Sequence, residues 1–211
     1  MSILKKKTGI MGGTFNPIHN GHLLLAETAR EILQLDQILF MPSGNSYMKD
    51  ASAIASKKDR LQMTSLAIEG NPYFKLSTME TDREGATYTC DTLLELKQLL
   101  PEHELYFILG ADSLFSIDRW RNPDVIMKNC ILTAAVRNGN MADIQSKANR
   151  LQESFDAKIQ LLPERNIDIS STEIRERICL GKSVRYMLPE KVLQYIQEYE
   201  LYQNKTTGVD L

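Results

Sequence analysis

A glycine-rich turn carrying two histidines joins an apolar run to a helical one, and this junction constrains the fold more than any other feature of the chain. Lys7-Thr8-Gly9-Ile10-Met11 reads as a short buried strand, and Leu23-Leu24-Leu25-Ala26-Glu27-Thr28-Ala29-Arg30-Glu31-Ile32-Leu33 reads as a helix. Between them stands Gly12-Gly13-Thr14-Phe15-Asn16-Pro17-Ile18-His19-Asn20-Gly21-His22. Such a turn lets backbone N–H groups approach an anion, and a helix N-terminus adds a favourable dipole. Two imidazoles there can donate hydrogen bonds to phosphoryl oxygens, so the expected ligand is a nucleotide triphosphate. Gly21 removes the side chain between the two rings and lets a ligand come close. The bland alternative is a plain turn. A zinc site is a third reading, but no cysteine or further histidine stands at a ligand-like spacing. His103, between Glu102 and Glu104, reads as a surface residue.

Apolar runs and helical stretches then alternate. Gln37-Ile38-Leu39-Phe40-Met41 is a strand stopped by Pro42, and Ser43 to Ser56 is polar and loop-like. Lys57 to Glu69 reads as a helix, Tyr73 to Thr78 as a strand, and Thr89 to Leu100 as a helix capped by Thr89 or Asp91. Leu105 to Leu109 and Cys130 to Val136 are buried strands, with a helix over Met141 to Phe155 and a short strand over Lys158 to Leu162. Ser171 to Leu180 and Pro189 to Tyr199 are the last helices. This pattern predicts an α/β fold: a Rossmann-like parallel sheet with helices on both faces. Ligands of such sheets bind beyond the carboxyl ends of the strands, where the first turn lies. Neither a Gly-x-Gly-x-x-Gly dinucleotide motif nor a P-loop is present.

Composition sets the outer limits. With 211 residues, 43% of them hydrophobic, the chain is expected to form a single domain over 1–211, with a tail frayed from about residue 203. Its 25 Lys+Arg against 27 Asp+Glu give a net charge of −2, which makes no case for nucleic-acid or membrane partners. Lys5-Lys6-Lys7 is followed by no apolar signal segment, and no run approaches the ~18 apolar residues of a membrane span. Cys90, Cys130 and Cys179 are odd in number and scattered, as expected of reduced thiols in a cytoplasmic protein.

A second phosphate signal lies near the end. Ile169-Ser170-Ser171-Thr172-Glu173-Ile174-Arg175 opens a helix. Ser170 and Glu173 fit a capping box, which is reason enough for those residues. The other reading is that hydroxyls and free N–H groups at this helix start, with the planar fork of Arg175 one turn in, hold phosphates.

Together these two motifs resemble the nucleotidyltransferases with the His-x-Gly-His signature. Within them the chain is similar to the bacterial nicotinate mononucleotide adenylyltransferases, from Gly9 to about Tyr202. The narrower likeness rests on Tyr88-Thr89-Cys90-Asp91-Thr92, Phe107-Ile108-Leu109-Gly110-Ala111-Asp112, Trp120, Val136-Arg137 and Ser183-Val184-Arg185-Tyr186-Met187-Leu188-Pro189. The resemblance implies transfer of AMP from ATP to nicotinate mononucleotide, giving nicotinate adenine dinucleotide and pyrophosphate in NAD biosynthesis, by direct in-line attack without a covalent intermediate. Mg²⁺ would be the cofactor, bound through the ATP phosphates and by no protein side chain. A homodimer is left open.

By the same resemblance, His19, His22 and Arg175 are the catalytic set, with His22 the transition-state donor. Gly12, Gly13, Thr14, Phe15, Gly21, Gly110, Asp112, Arg137, Ser171 and Thr172 would bind ATP. Lys49, Tyr88, Thr89 and Trp120 would bind the nicotinate nucleotide, with Trp120 stacked on the pyridine ring and the Thr89 N–H facing its carboxylate. Asp112 also fits a simple helix cap after Gly110. Three positions depart from the family pattern. Asn16 stands where an aspartate is common and keeps a turn-forming side chain. Ser46-Tyr47-Met48-Lys49 lacks the histidine of the usual Pro-Pro-His-Lys loop, and Arg121 stands where an aromatic is common. The alternatives are an adenylyltransferase acting on phosphopantetheine or nicotinamide mononucleotide, a non-catalytic nucleotide sensor, and a tRNA-synthetase-like fragment. The last lacks its Lys-Met-Ser-Lys-Ser element.

Overall fold

In the computed structural model, residues 5–44, 54–135, 141–163 and 168–203 are described. Six strands are β1 (Lys6–Gly13), β2 (Gln37–Pro42), β3 (Phe74–Leu76), β4 (His103–Leu109), β5 (Ile131–Ala135) and β6 (Lys158–Leu162). They form one sheet in the order β3-β2-β1-β4-β5-β6, and every neighbouring pair is parallel. The helices are α1 (Asn20–Leu33), α2 (Lys57–Ile68), α3 (Met79–Asp82), α4 (Thr89–Leu99), α5 (Ala111–Ser116), α6 (Pro123–Asn129), α7 (Met141–Phe155), α8 (Ser171–Cys179) and α9 (Glu190–Glu198). The expected α/β fold with a parallel sheet is the fold observed.

Alternation along the central strands sorts the core into two layers. Met11, Tyr106 and Ile108 face one side, with Ala26 and Ala29 of α1, Met63 of α2, Ile174 of α8 and Val192 of α9. Ile10, Leu105, Phe107 and Leu109 face the other, with Leu93 of α4, Leu114 of α5, Ile126 of α6 and Ile144 of α7. Both faces are therefore covered, which is what near-continuous apolar strands require. Burying one side chain such as Phe40, fully out of solvent, contributes about 1.5–3 kcal/mol. Gly9 is fixed by packing: a Cβ there would meet Leu35, Ile38 and Ile108 at 2.9–3.0 Å.

The strand order reverses between β1 and β4. Their carboxyl ends, Gly12-Gly13 and Leu109-Gly110, flank the crevice where ligands of doubly wound sheets bind. Among the described residues no helix is long and apolar enough to cross a membrane.

Sequence periodicity missed α3, α5, the 3₁₀ turn Ile117–Arg119 and α6. Each has only three to seven residues, too few for a helical period to show. The cap of α4 is corrected. It is Tyr88, in extended conformation and with no side-chain hydrogen bond; Thr89 and Asp91 lie inside the first turn.

Candidate active site

The first turn is held by its own histidines. His19 is the N-cap of α1, three residues earlier than the apolar pattern alone indicated, and His22 is the third helical residue. The backbone N–H of His19 donates to Nδ1 of His22 across 3.2 Å. A ring nitrogen that accepts has no proton, so the proton of a neutral His22 sits on Nε2, where it can be donated. The two rings stack with centroids 3.7 Å apart and planes 28° apart. Phe15, at a positive φ of 49°, presents its ring edge-on to His22 at 5.1 Å. A Cβ on Gly21 would lie 3.0 Å from Nδ1 of His19 and 3.1 Å from its Cε1. The glycine thus makes room for the His19 ring itself, which is a more local reason than ligand access.

Three carbonyls of this turn accept hydrogen bonds from side chains elsewhere in the chain. Arg60 Nη1 donates to Thr14 O at 2.8 Å, Arg175 Nη1 to Asn16 O at 2.9 Å, and Ser171 Oγ to Pro17 O at 2.9 Å. Asn16, 5% exposed, accepts on Oδ1 from the Ala55 N–H at 2.9 Å and from the Tyr202 hydroxyl at 2.8 Å. The second motif therefore buttresses the first. Ser170 caps α8, its Oγ accepting from the Glu173 N–H at 3.1 Å. Arg175 also reaches Thr172 Oγ1, at 3.4 Å.

Two cavities share the glycine turn. The larger, about 720 Å³, is lined by Gly12, Gly13, Thr14, Phe15, His19, Gly21 and His22 from β1 and α1. Gly110 and Asp112 contribute from the end of β4, and Ser171, Thr172 and Arg175 from α8. The smaller, about 310 Å³, is lined by Tyr88 and Thr89 at the start of α4, by Thr87, Glu80 and Arg121, and again by Gly12, Gly13 and Thr14. Trp120 lies on both. Its indole meets Phe107 edge-on at 6.3 Å, and Nε1 donates to Ser116 Oγ at 3.4 Å. Gly110, not Asp112, is the N-cap of α5, which leaves the Asp112 carboxylate exposed at the cavity. The Arg121 guanidinium lies 4.3 Å over the Tyr88 ring, so the departure from an aromatic still builds a wall against an aromatic.

Lys49, Arg137 and the Met48 departure fall outside the described residues. Two residues were missed by sequence reasoning. Arg60, in Lys57-Lys58-Asp59-Arg60, looks like one more charge on a solvated helix, yet it is 2% exposed. Glu80 lines the smaller cavity and accepts from Thr92 Oγ1 at 2.9 Å; burial pushes its carboxyl pKa up. No spacing rule marks either. Among the described residues no group of three or more His, Cys, Asp and Glu side chains is placed to hold a metal ion. The donors at the larger cavity are imidazole, hydroxyl and guanidinium, a set suited to anions.

The site's likeness to known proteins is broad. The cytidylyltransferase-like family model matches residues 10–177. A relative from Lachnoclostridium phytofermentans, a probable nicotinate-nucleotide adenylyltransferase, is 46% identical over 93% of this chain and 99% of its own. A second of the same description, from Thermoanaerobacter sp., is 44% identical over 93% of this chain and 94% of its own. Among solved structures, the Plasmodium falciparum nicotinic acid mononucleotide adenylyltransferase complexed with NaAD superposes with a TM-score of 0.78. It is 21% identical and covers 93% of this chain and 97% of that one, so it speaks for the fold.

Proposed function

The chain belongs to the cytidylyltransferase-like family, in its nicotinate-nucleotide adenylyltransferase branch, and from that premise we propose that it transfers AMP from ATP to nicotinate mononucleotide. The observation that carries the reading is the pair of cavities meeting at Gly12, Gly13, Thr14 and Trp120. The larger offers phosphate donors. The smaller offers an indole, a tyrosine and a helix start suited to a flat acidic ring. An acceptor in one and a triphosphate in the other would meet at the glycine turn.

The chemistry asked of the protein is positioning and charge stabilisation. A phosphate oxygen of the mononucleotide attacks the α-phosphorus of ATP, the bond to the β-phosphate oxygen breaks, and pyrophosphate leaves with that electron pair. His22 Nε2–H donates to an oxygen that gains charge in the transition state, and His19 and Arg175 hold the phosphates. Thr89 and Trp120 orient the acceptor. Backbone N–H donors favour a carboxylate over a carboxamide, whose NH₂ would oppose them. Mg²⁺ fits as a partner of the phosphates, because the imidazole, hydroxyl and guanidinium donors of the larger cavity meet anions and leave a divalent cation to the nucleotide's own oxygens. When bound, it would neutralise charge on the triphosphate. The chain would work as one domain, in the cytoplasm, where its three free cysteines stay reduced.

The test is pyrophosphate release with ATP and Mg²⁺, offering nicotinate and nicotinamide mononucleotides in parallel. Strong preference for the acid is expected. Equal use of both would remove the account of the Thr89 and Trp120 pocket, and release with neither would remove the function.

A further inference from the structure

Arg60 lies on α2, 2% exposed, beneath the glycine turn. Its guanidinium donates to backbone carbonyls of three separate segments: Thr14 at 2.8 Å, Gly44 at 3.3 Å and Ala55 at 3.3 Å. Among the described residues no carboxylate forms an ion pair with it. The acidic group that acts on it is the Tyr202 phenol, whose pKa burial drives upward, so that it stays neutral. Burial pulls the Arg60 pKa down, yet a guanidinium remains protonated in a protein. The fold thus keeps a cation out of water with carbonyl dipoles as its counterweight. Such an arrangement is costly until an anion arrives.

The place for that anion is adjacent. Thr14 lines both cavities, and its carbonyl oxygen is what Arg60 holds most closely. The Thr14–Phe15 peptide is trans, since the cis bond is Asn16–Pro17. In a trans peptide the C=O and the N–H point in opposite directions. Holding the Thr14 carbonyl against the Arg60 guanidinium therefore leaves the Phe15 N–H facing away from Arg60.

We propose that Arg60 is a positioning residue for the triphosphate, aiming the Phe15 N–H at the ligand and lending it an uncompensated positive charge from behind the turn. The inference rests on the adenylyl-transfer reading. It adds that affinity should follow the ligand's negative charge even though Arg60 touches no ligand atom. Water is excluded around the guanidinium, so its field reaches the cavity with little screening.

The experiment measures inhibition constants of inorganic pyrophosphate and of adenosine against turnover, in the wild type, Arg60→Met and Arg60→Lys. In Arg60→Met the pyrophosphate constant is expected to rise about tenfold or more, with adenosine changed less than about twofold. Arg60→Lys keeps the charge and loses the fork. It should melt at a lower temperature than the wild type yet hold its pyrophosphate constant within about threefold. A parallel rise for pyrophosphate and adenosine in either variant would mean a purely structural role and overturn the proposal. So would an unchanged pyrophosphate constant in Arg60→Met. If Arg60→Met does not fold, Arg60→Gln, which removes the charge but keeps a hydrogen-bond donor, replaces it with the same expected and overturning outcomes. Wild-type protein that neither turns over nor binds pyrophosphate would instead remove the functional reading beneath it.

Discussion

The imidazole of His22 accepts the backbone N–H of His19 through Nδ1 at 3.2 Å while stacking on the His19 ring at 3.7 Å. One hydrogen bond thus sets both the tautomer and the orientation of the ring. With Nδ1 accepting, the proton of the neutral ring is on Nε2, the donor proposed to meet charge that develops on a phosphate. His22→Ala should lower kcat by about 10²- to 10³-fold, the usual cost of losing one such donor, with little change in KM for ATP. Steady-state kinetics at saturating mononucleotide check this, and near-wild-type turnover would refute the assignment.

Gly21→Ala tests the space that the His19 ring occupies. The added Cβ would lie 3.0 Å from Nδ1, so the ring must give way by a few tenths of an ångström. A kcat loss of about 10- to 100-fold is expected from a misplaced donor pair, with the thermal melt little changed. A variant with full activity would show that the stacked geometry is dispensable.

Trp120→Ala should act on the acceptor. Base-on-aromatic stacking is worth about 1–3 kcal/mol, so KM for the mononucleotide should rise about 5- to 150-fold while KM for ATP moves less. The indole lies on both cavities, so the ratio of the two KM changes is the informative number. Equal changes would assign Trp120 to the wall between sites and not to the pyridine ring.

Glu80 gives a pH-dependent stability test. Desolvation raises its folded pKa above the ordinary 4.5, partly opposed by the Thr92 hydrogen bond and by Arg83. A raised carboxyl pKa means that the folded state binds the proton more tightly than the unfolded one. The stability it contributes is therefore full below about 4.5 and is lost as pH climbs through the raised value. Glu80→Gln, which cannot ionise, should gain stability relative to wild type as pH rises through that window. Denaturant titrations at pH 4 and pH 7.5 compare them, and a difference independent of pH would contradict the burial argument.

Tyr202→Phe removes the hydroxyl that donates to Asn16 Oδ1 at 2.8 Å. About 1 kcal/mol of stability should go with it, or a Tm decrease of roughly 2–4 °C for a chain of this size. A fall in kcat would accompany the shift if Asn16 transmits the loss to Arg175, which bonds its carbonyl.

Much of this was legible in the sequence. Ile38-Leu39-Phe40-Met41 and Leu105 to Leu109 announced buried parallel strands because they are apolar on both faces. Glycines at the end of β1 and the His-x-Gly-His spacing marked out the turn that lines the larger cavity. Arg60 and Glu80 were illegible. A charged residue in a polar stretch looks solvated unless its tertiary neighbours are known, and those neighbours are carbonyls and hydroxyls with no sequence signature. Ser171 and Arg175 line the larger cavity and also bond to Pro17 and Asn16, contacts across more than 150 residues that no local pattern encodes.

The tie between Asn16 and Tyr202 spans 186 residues, and it has a consequence for synthesis on the ribosome. All six strands are encoded before α8 and α9, so a nascent chain can assemble its scaffold while the turn near its N-terminus still lacks Arg175, Ser171 and Tyr202 as anchors. Competence to hold nucleotide would then come only after the tunnel releases α8 and α9. A chain stalled short of that point would be shaped like the enzyme without competing for its substrate.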